Sequence, residues 1–282
     1  MVYKIGWFST GRGPGSRNLL TTILKNIDSG RINATISFVF CSREAGEAEG
    51  SDLYLKMVKD HGLNLVSFSS RTFKPEMRKQ GKENPAILDE WRSAYDHEIL
   101  SRLAPYSSDI NVLAGYMLIV GHDMCDRYNL INLHPAAPDG PAGTWKEVIW
   151  QLITDKAEQS GVMIHLVTKE LDKGPPITFC TFPLRGPSID PLWKRHDQAL
   201  RHRSLDQIIR EEGENNPLFK EIRDRGVMRE LPLIVETLKT FSEGKIRIEN
   251  HRVLVDNHVQ QQPFCLTEQI EASFTNGQRN EE

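Results

Sequence analysis

Short apolar runs alternate with helical patterns along the first two thirds of this 282-residue chain. The runs are nearly continuous, which is typical of strands covered on both faces of a sheet. This alternation predicts an α/β fold with a doubly wound, mostly parallel sheet and helices on both of its faces. The predicted strands are Tyr3 to Phe8, Ala34 to Cys41, Asn64 to Phe68, Ile110 to Ala114, Leu130 to Leu133, Val162 to Thr168 and Ile177 to Phe182. The predicted helices among them are Ser16 to Ile27, Gly50 to His61, Pro85 to Leu103 and Thr144 to Ile153.

The last third of the chain carries a different pattern. Residues from about 187 to 226 are polar with scattered Leu and Ile, which predicts an inserted segment of surface helices. A short amphipathic helix is predicted from Arg229 to Phe241, ended by Gly244, and a hairpin after it. We therefore expect one domain over residues 1–265. The remaining residues, 266–282, are rich in Gln, Asn and Glu and are expected to form a flexible tail.

Composition and charge narrow the class of protein. The chain is 39% hydrophobic and 26% charged, as expected for a soluble globular protein. Its 35 basic and 38 acidic residues give a net charge of −3, so no global basic field favours nucleic acid or an anionic membrane as a partner. No apolar stretch approaches the ~18 residues of a membrane span, and four separated cysteines without a C-x-x-C pair favour free thiols in a reducing compartment. We expect a cytoplasmic protein.

The strand pattern at Leu130 ends on two polar side chains, Asn132 and His134. Side chains two positions apart on a strand point to the same face, so the amide and the imidazole are expected to lie side by side. Such a pair can bind an oxyanion and move a proton. The alternative is that both side chains only satisfy backbone groups of the following loop.

A glycine-rich turn follows the first predicted strand and opens the first predicted helix. Backbone N–H groups at a helix start can face an anion, and glycines let the anion approach closely. The turn therefore predicts a phosphate site, although an ordinary strand-to-helix turn stays open as the alternative. The predicted phosphate contacts are Gly13, Gly15, Ser16 and Asn18.

Four segments occur in the order found in folate-dependent formyltransferases, and the chain resembles that family over about residues 3 to 183. They are the glycine-rich turn, Val112-Leu113-Ala114-Gly115-Tyr116-Met117, Asn132-Leu133-His134-Pro135 and Leu171-Asp172-Lys173-Gly174-Pro175. The resemblance implies a formyltransferase-like variant of the Rossmann fold, 10-formyltetrahydrofolate as co-substrate and no metal. It is strongest to the members that formylate the amine of glycinamide ribonucleotide in purine biosynthesis.

The resemblance also implies a role for each matched residue. Asn132 and His134 would stabilise a tetrahedral oxyanion, while Asp172 would assist proton transfer. Seen alone, Asp172 would be a turn residue. The folate ring would lie against Met117, Leu118, Ile119 and Val120. His165 and Glu230 are two further candidates for substrate binding. The alternative is that His165 is a hydrogen-bonded core or surface histidine and that Glu230 is a solvated acid at the start of a helix.

The chain departs from the family pattern at several positions. Leu118 stands where a basic residue is common, Ala136-Ala137 replaces Ser-Leu, and the glycine-rich turn is longer and carries two arginines. The acceptor is therefore open to alternatives within the family, namely another amine such as an amino sugar nucleotide, or water. A non-catalytic nucleotide-binding module is the alternative from another class, and a homodimer is left open.

Overall fold

The computed structural model describes residues 2–278 as alternating strands and helices. The strands are β1 (Tyr3–Ser9), β2 (Ala34–Cys41), β3 (Leu65–Ser67), β4 (Ile110–Leu113), β5 (Leu130–His134), β6 (Gln159–Leu166), β7 (Pro176–Pro183), β8 (Ile246–Glu249), β9 (Arg252–Val255), β10 (His258–Val259) and β11 (Phe264–Cys265). The helices are α1 (Pro14–Asp28), α2 (Glu49–Asp60), α3 (Pro75–Gln80), α4 (Pro85–Leu103), α5 (His122–Arg127), α6 (Trp145–Thr154), α7 (Asp190–Ala199), α8 (Leu205–Glu212), α9 (Pro217–Ser242) and α10 (Thr267–Gln278). None of these helices has both the length and the apolar character needed to cross a membrane.

The described chain divides into two compact units. The first comprises residues 2–132, 165–175 and 238–260, and the second residues 133–164, 176–237 and 261–278. Strands β5 and β6 each contribute residues to both units. The expectation of one domain over residues 1–265 stays a prediction.

The first unit is built on parallel strands in the order β5-β4-β1-β2-β3. The α/β class with a mostly parallel sheet is thereby confirmed. Its strands are apolar at nearly every position because helices cover them, as the sequence pattern indicates. The register pairs Leu113 of β4 with Asn132 of β5, so the predicted site residues follow the carboxyl end of this sheet. A separate antiparallel hairpin and edge strand, β8-β9-β10, also belongs to this unit.

Aromatic side chains fill the core between the first unit's strands and α4. The rings of Phe8 and Phe38 meet edge to face at 5.6 Å, and Tyr95 stacks on both Phe68 and Trp91 at 5.1 Å. These residues are fully or largely buried, and each large ring removes apolar area from water. Helix α4, which carries the buried Asp96, is thereby held firmly against the strands.

The second unit contains strands β11-β7-β6 in that order, with the predicted pairing of β6 and β7 as neighbours confirmed. Its core joins α6, α7 and the first half of α9 around Leu152, Trp193 and Phe219. Helix α6 begins at the predicted cap, because Thr144 and Glu147 exchange hydrogen bonds in a capping box. The segment predicted as inserted helices contains α7 and α8.

Four features differ from the sequence prediction. Helix α9 begins at Pro217 rather than Arg229 and passes through Pro232, because buried apolar residues of its first turns pack in the core.

Helix α10 occupies most of the segment predicted to be a flexible tail. It is anchored by the buried Leu266 and Ile270 and by an ion pair of Arg229 with Glu271 at 2.7 Å. Residues 279–282 of that predicted tail lie outside the described residues. The short helices α3 and α5 carry too few turns to give a periodic signal, and the sequence prediction missed both.

Candidate active site

A cavity of about 130 Å³ lies within the first unit, after the carboxyl ends of β4 and β5. Its volume is several times what one water molecule needs. Its polar groups are the side chains of Asn132, His165 and Asp172 in one part of the wall. The rest of the wall is mostly apolar and comprises Leu113, Tyr116, Leu118, Ile119, Val120, Val167, Thr168 and Leu171. The structure therefore brings together six of the residues predicted from the sequence.

His165 joins the other two polar residues of the cavity. It comes from the end of β6, where the N–H of Val167 donates to the carbonyl of Leu130 at 2.7 Å. The Nδ1 atom of His165 lies 3.1 Å from the carbonyl oxygen of Leu166, and since a carbonyl only accepts, Nδ1 carries the proton. In the neutral ring Nε2 is then an acceptor. It lies 3.5 Å from the amide nitrogen of Asn132 and 3.7 Å from Oδ1 of Asp172.

Burial distinguishes the three side chains. His165 is only 2% exposed, so its contacts are shielded from bulk water. The side chain of Asp172 keeps 25% of its exposure, and Asn132 is half-buried. A proton on Nε2 of His165 would lie between the amide of Asn132 and the carboxylate of Asp172. The arrangement can bind a developing negative charge through Asn132 and exchange a proton through His165 and Asp172.

The turn that carries Asp172 depends on an adjacent glycine. Asp172 itself has a φ of 55°, a left-handed conformation that Asp tolerates better than most residues. At Gly174 an added Cβ would lie only 1.6 Å from the carbonyl oxygen of Leu166, so no other residue fits without moving the backbone. The N–H of Leu166 donates to the carbonyl of Pro175 at 3.0 Å. This close packing explains the Leu-Asp-x-Gly spacing and places Asp172 beside His165.

The glycine-rich turn lies next to the segment that leads into the apolar wall. The N–H of Met117 donates to the Thr10 hydroxyl at 2.9 Å, and the N–H of Thr10 donates to the carbonyl of Gly115 at 3.1 Å. A Cβ added at Gly115, whose φ is 68°, would meet the Ser16 hydroxyl at 2.6 Å. These contacts put the predicted phosphate turn and the start of the predicted folate segment side by side.

The four predicted phosphate residues form the start of α1. Gly13 is the N-cap residue, without a side-chain cap, and Gly15, Ser16 and Asn18 lie in the first turns of the helix. No atom lies within 4 Å of a Cβ added at Gly13 or Gly15, and no acidic residue occupies the first turn. The helix start therefore offers free N–H groups next to open space, which suits an anion.

Three other predicted residues have different surroundings. His134 is the last residue of β5 and is 5% exposed, with Nε2 at 3.4 Å from the carbonyl oxygen of Pro141. Met117 is 65% exposed and is not part of the cavity wall described above. Glu230 lies inside α9, not at a helix start, and pairs with Arg223 at 2.6 Å. Its expected position as a helix N-terminal acid is therefore wrong, because α9 begins thirteen residues earlier.

The structure adds one residue that the sequence analysis missed. Asp96 of α4 is 3% exposed, and its Oδ2 accepts a hydrogen bond from the N–H of Gly121 at 2.7 Å. Burial raises the pKa of Asp96 to about 7, an effect that the Gly121 hydrogen bond partly offsets. Gly121 directly follows the wall residues Leu118–Val120. The two partners are 25 positions apart in sequence, and a lone Asp in a helix gives no signal of such a contact.

Comparison with known proteins assigns the family. The formyl transferase family model matches residues 13–184. A phosphoribosylglycinamide formyltransferase of Dictyostelium discoideum is 30% identical over 223 residues, which cover 74% of this chain and 98% of that relative. The chain belongs to the formyl transferase family. This formyltransferase is also 34% identical over 107 residues to the phosphoribosylglycinamide formyltransferase of Escherichia coli, covering 37% of the chain and 50% of the relative.

Solved structures share the fold of this formyltransferase. A glycinamide ribonucleotide transformylase from Symbiobacterium toebii has a TM-score of 0.61 at 22% identity, and the match covers 90% of this chain and 94% of that one. A formyltetrahydrofolate deformylase from Pseudomonas syringae pv. tomato has a TM-score of 0.55 at 18% identity, with 90% of this chain and 66% of that one covered. At such identities these structures support the fold and leave the acceptor of the formyl group open.

Proposed function

We propose that this formyltransferase moves the formyl group of 10-formyltetrahydrofolate to the amine of glycinamide ribonucleotide, a step of purine biosynthesis. The observation that carries the proposal is the cavity in which Asn132, His165 and Asp172 meet an apolar wall. Oxyanion donors and a proton acceptor are what acyl transfer to an amine requires. The name of the Dictyostelium relative, which aligns over almost its whole length, favours this acceptor over others.

The polar residues have distinct roles in the proposed reaction. The acceptor nitrogen attacks the formyl carbon, and the carbonyl oxygen becomes an oxyanion that accepts a hydrogen bond from the Asn132 amide. The amine proton passes to a base, for which Nε2 of His165 is oriented because Nδ1 donates to Leu166. The carboxylate of Asp172, 3.7 Å away, can form an ion pair with the imidazole that has taken up this proton. The bond from the formyl carbon to the folate nitrogen then breaks, and that nitrogen takes a proton.

His134 is assigned a second role in the same proposal. It follows Asn132 by two residues at the end of β5, so an imidazole is available on the same strand. We assign it donation to the oxyanion or proton exchange with the amine. Glu230 is a further candidate for binding the acceptor, and its ion pair with Arg223 would have to open for that role.

The substrates' other groups suit the neighbouring elements. A flat heteroaromatic ring needs apolar walls with a few polar groups, which Leu118, Ile119 and Val120 supply together with their backbone. The phosphate of the acceptor is assigned to the start of α1, at Gly13, Gly15, Ser16 and Asn18. The contacts of Thr10 with Gly115 and Met117 keep these two regions adjacent. The cytoplasmic location stays a prediction, and a homodimer stays open.

A direct assay tests the proposal. The purified full chain is incubated with 10-formyltetrahydrofolate and glycinamide ribonucleotide, and the deformylated folate and the formylated product are both measured. We expect equal amounts of the two. Release of folate without any amine would instead indicate hydrolysis. Turnover only with an amino sugar nucleotide would show that this compound is the acceptor in place of glycinamide ribonucleotide. Nucleotide binding without turnover would indicate a non-catalytic binding module.

A further inference from the structure

Asp96 contacts the backbone that directly follows the apolar wall of the cavity. Its carboxylate lies on α4 and accepts a hydrogen bond from Gly121, which follows Leu118–Val120 and precedes α5. The contact leaves no spare room, since a Cβ added at Gly121 would lie 2.4 Å from Oδ2 of Asp96. The backbone at the end of the wall is therefore fixed both by a hydrogen bond and by close packing.

This carboxylate is costly for the fold. Asp96 is almost fully buried, and no ion pair of Asp96 is found among the described residues. The nearby Arg92 forms its ion pair with Asp89 instead, at 2.7 Å. A buried carboxylate without a cation is rare because losing its hydration is unfavourable. An apolar or amide side chain at this position of α4 would avoid that cost.

Helix α4 gives the contact a rigid base. Its N-terminal half is held in the core by Trp91 and Tyr95, which stack on each other, and the Tyr95 hydroxyl donates to the carbonyl of Phe68 at 2.5 Å. Asp96 directly follows Tyr95. A hydrogen bond from a loop to such a helix restricts the loop more than a bond to another loop would.

We propose that Asp96 is a positioning residue whose carboxylate fixes Gly121 and thereby the wall Leu118–Val120 for the flat ring of the formyl donor. The inference rests on the proposed function for the identity of that ring. Asp96 itself is not expected to touch the reacting atoms. Its effect belongs to the binding of the donor, and the binding of the acceptor should be independent of it.

The groups around Asp96 determine how pH acts on this contact. They are Arg92 and Tyr95 of α4, Tyr116 before the wall, and Asp123 and Cys125 of α5. Burial raises the pKa values of both tyrosines, and that of Cys125 to about 11, so these groups stay neutral near pH 7. Burial raises the pKa of Asp96 to about 7, so Asp96 changes charge there. Its ionised form is the stronger acceptor for the N–H of Gly121.

Three variants test the inference by steady-state kinetics with the formyl donor and the acceptor varied separately. We expect Asp96→Ala to raise the KM for the donor at least about 10-fold at pH 8, with a smaller change in kcat and an unchanged KM for the acceptor. Asp96→Asn keeps an acceptor oxygen and should stay within about 3-fold of the wild type. Glu90→Gln, an exposed change on the same helix, is the matched control.

The pH profile separates positioning from a general loss of structure. Between pH 8 and pH 6 the donor KM of the wild type should rise relative to that of Asp96→Asn, which lacks the titrating group. His97 pairs with Asp123 at 3.1 Å, so His97→Gln is measured as well and should keep the wild-type difference. An unchanged donor KM in Asp96→Ala, or equal losses for both substrates, overturns the inference.

Hydrogen exchange of the Gly121 amide provides a measurement that needs no activity. We expect faster exchange of residues 117–121 in Asp96→Ala than in the wild type and in Glu90→Gln. Unchanged exchange contradicts the inference even if formyl transfer is observed. A wild type without formyl transfer overturns the proposed function alone, because the exchange experiment still decides whether Asp96 holds the wall.

Discussion

Asn132 has the most direct role of any side chain in the proposed reaction. Its amide lies 3.5 Å from His165, a long contact that leaves it available to donate to an oxyanion. We expect Asn132→Ala to lower kcat about 100-fold, because losing one oxyanion donor typically costs on the order of 3 kcal/mol of transition-state stabilisation. The control is Asn33→Ala on the surface of the first unit. Circular dichroism checks that the variant is fully folded. If it is, a decrease in kcat of less than about 3-fold would contradict the proposed role of Asn132.

The sequence identifies some site residues for physical reasons and misses others for equally physical ones. Asn132 stands out because a polar residue at the end of an apolar strand needs an explanation. His165 is ambiguous, since a histidine between apolar neighbours can serve the core equally well. Its place beside Asn132 depends on the pairing of Val167 with Leu130, which connects segments distant in sequence. Asp96 is harder still because helical periodicity reports a face and not the contacts of that face.

At the scale of elements, the turn after β6 depends on one glycine. A Cβ at Gly174 would overlap the carbonyl of Leu166, and the φ of Gly174 is not in the left-handed region. We expect Gly174→Ala to lower the free energy of unfolding by about 2–4 kcal/mol through displaced backbone, as strained substitutions of buried positions do. Urea unfolding followed by circular dichroism measures the change.

Gly15→Ala is the matched comparison for that experiment. Its Cβ would meet no atom within 4 Å, and alanine favours a helical turn, so stability should be equal or about 0.5–1 kcal/mol higher. The same variant would crowd the proposed phosphate position and should raise the KM for the acceptor. Equal stability losses in both variants would show that the close approach at Gly174 is not what constrains the turn.

Whether an element can be predicted follows from the local signals at its ends. The bounds of α4 are predicted to the residue, because Asn84 caps the first turn with its side chain and Pro85 occupies the first position. Helix α9 is predicted only in its second half, since its first turns lie partly in the polar segment of residues about 187 to 226, and packing of their apolar residues in the core joins them to one helix. Helix α10 has a polar composition, and its order derives from the buried Ile270 and from Glu271, whose ion-pair partner Arg229 is distant in sequence.

At the scale of the whole molecule, Asp96 makes stability depend on pH. Burial raises the pKa of Asp96 from 3.8 to about 7 in the folded state. Between pH 3.8 and about pH 7 the folded chain therefore keeps a proton on Asp96, whereas the unfolded chain has lost it. The contribution of Asp96 to stability is therefore fully present below pH 4 and is lost as pH rises through about 7, by at most about 4 kcal/mol. We expect Asp96→Asn to gain stability over the wild type as pH rises from 5 to 8. A difference in unfolding free energy that does not change over this range would contradict the buried carboxylate.

The four cysteines report on folding of the whole chain. Cys41, Cys125 and Cys180 are buried free thiols, while Cys265 is exposed. Burial raises the pKa of Cys41 and Cys125 to about 11 and that of Cys180 to about 12, so few thiolates are available to react. A thiol reagent such as Ellman's reagent at pH 8 should therefore label one cysteine rapidly in the native protein and four in urea. In Cys265→Ser the rapid native reaction should disappear and three thiols should remain in urea. Rapid native labelling of a second thiol would mean that one of the three apolar environments opens far more often than a packed core allows, because a buried thiol reacts only from opened states.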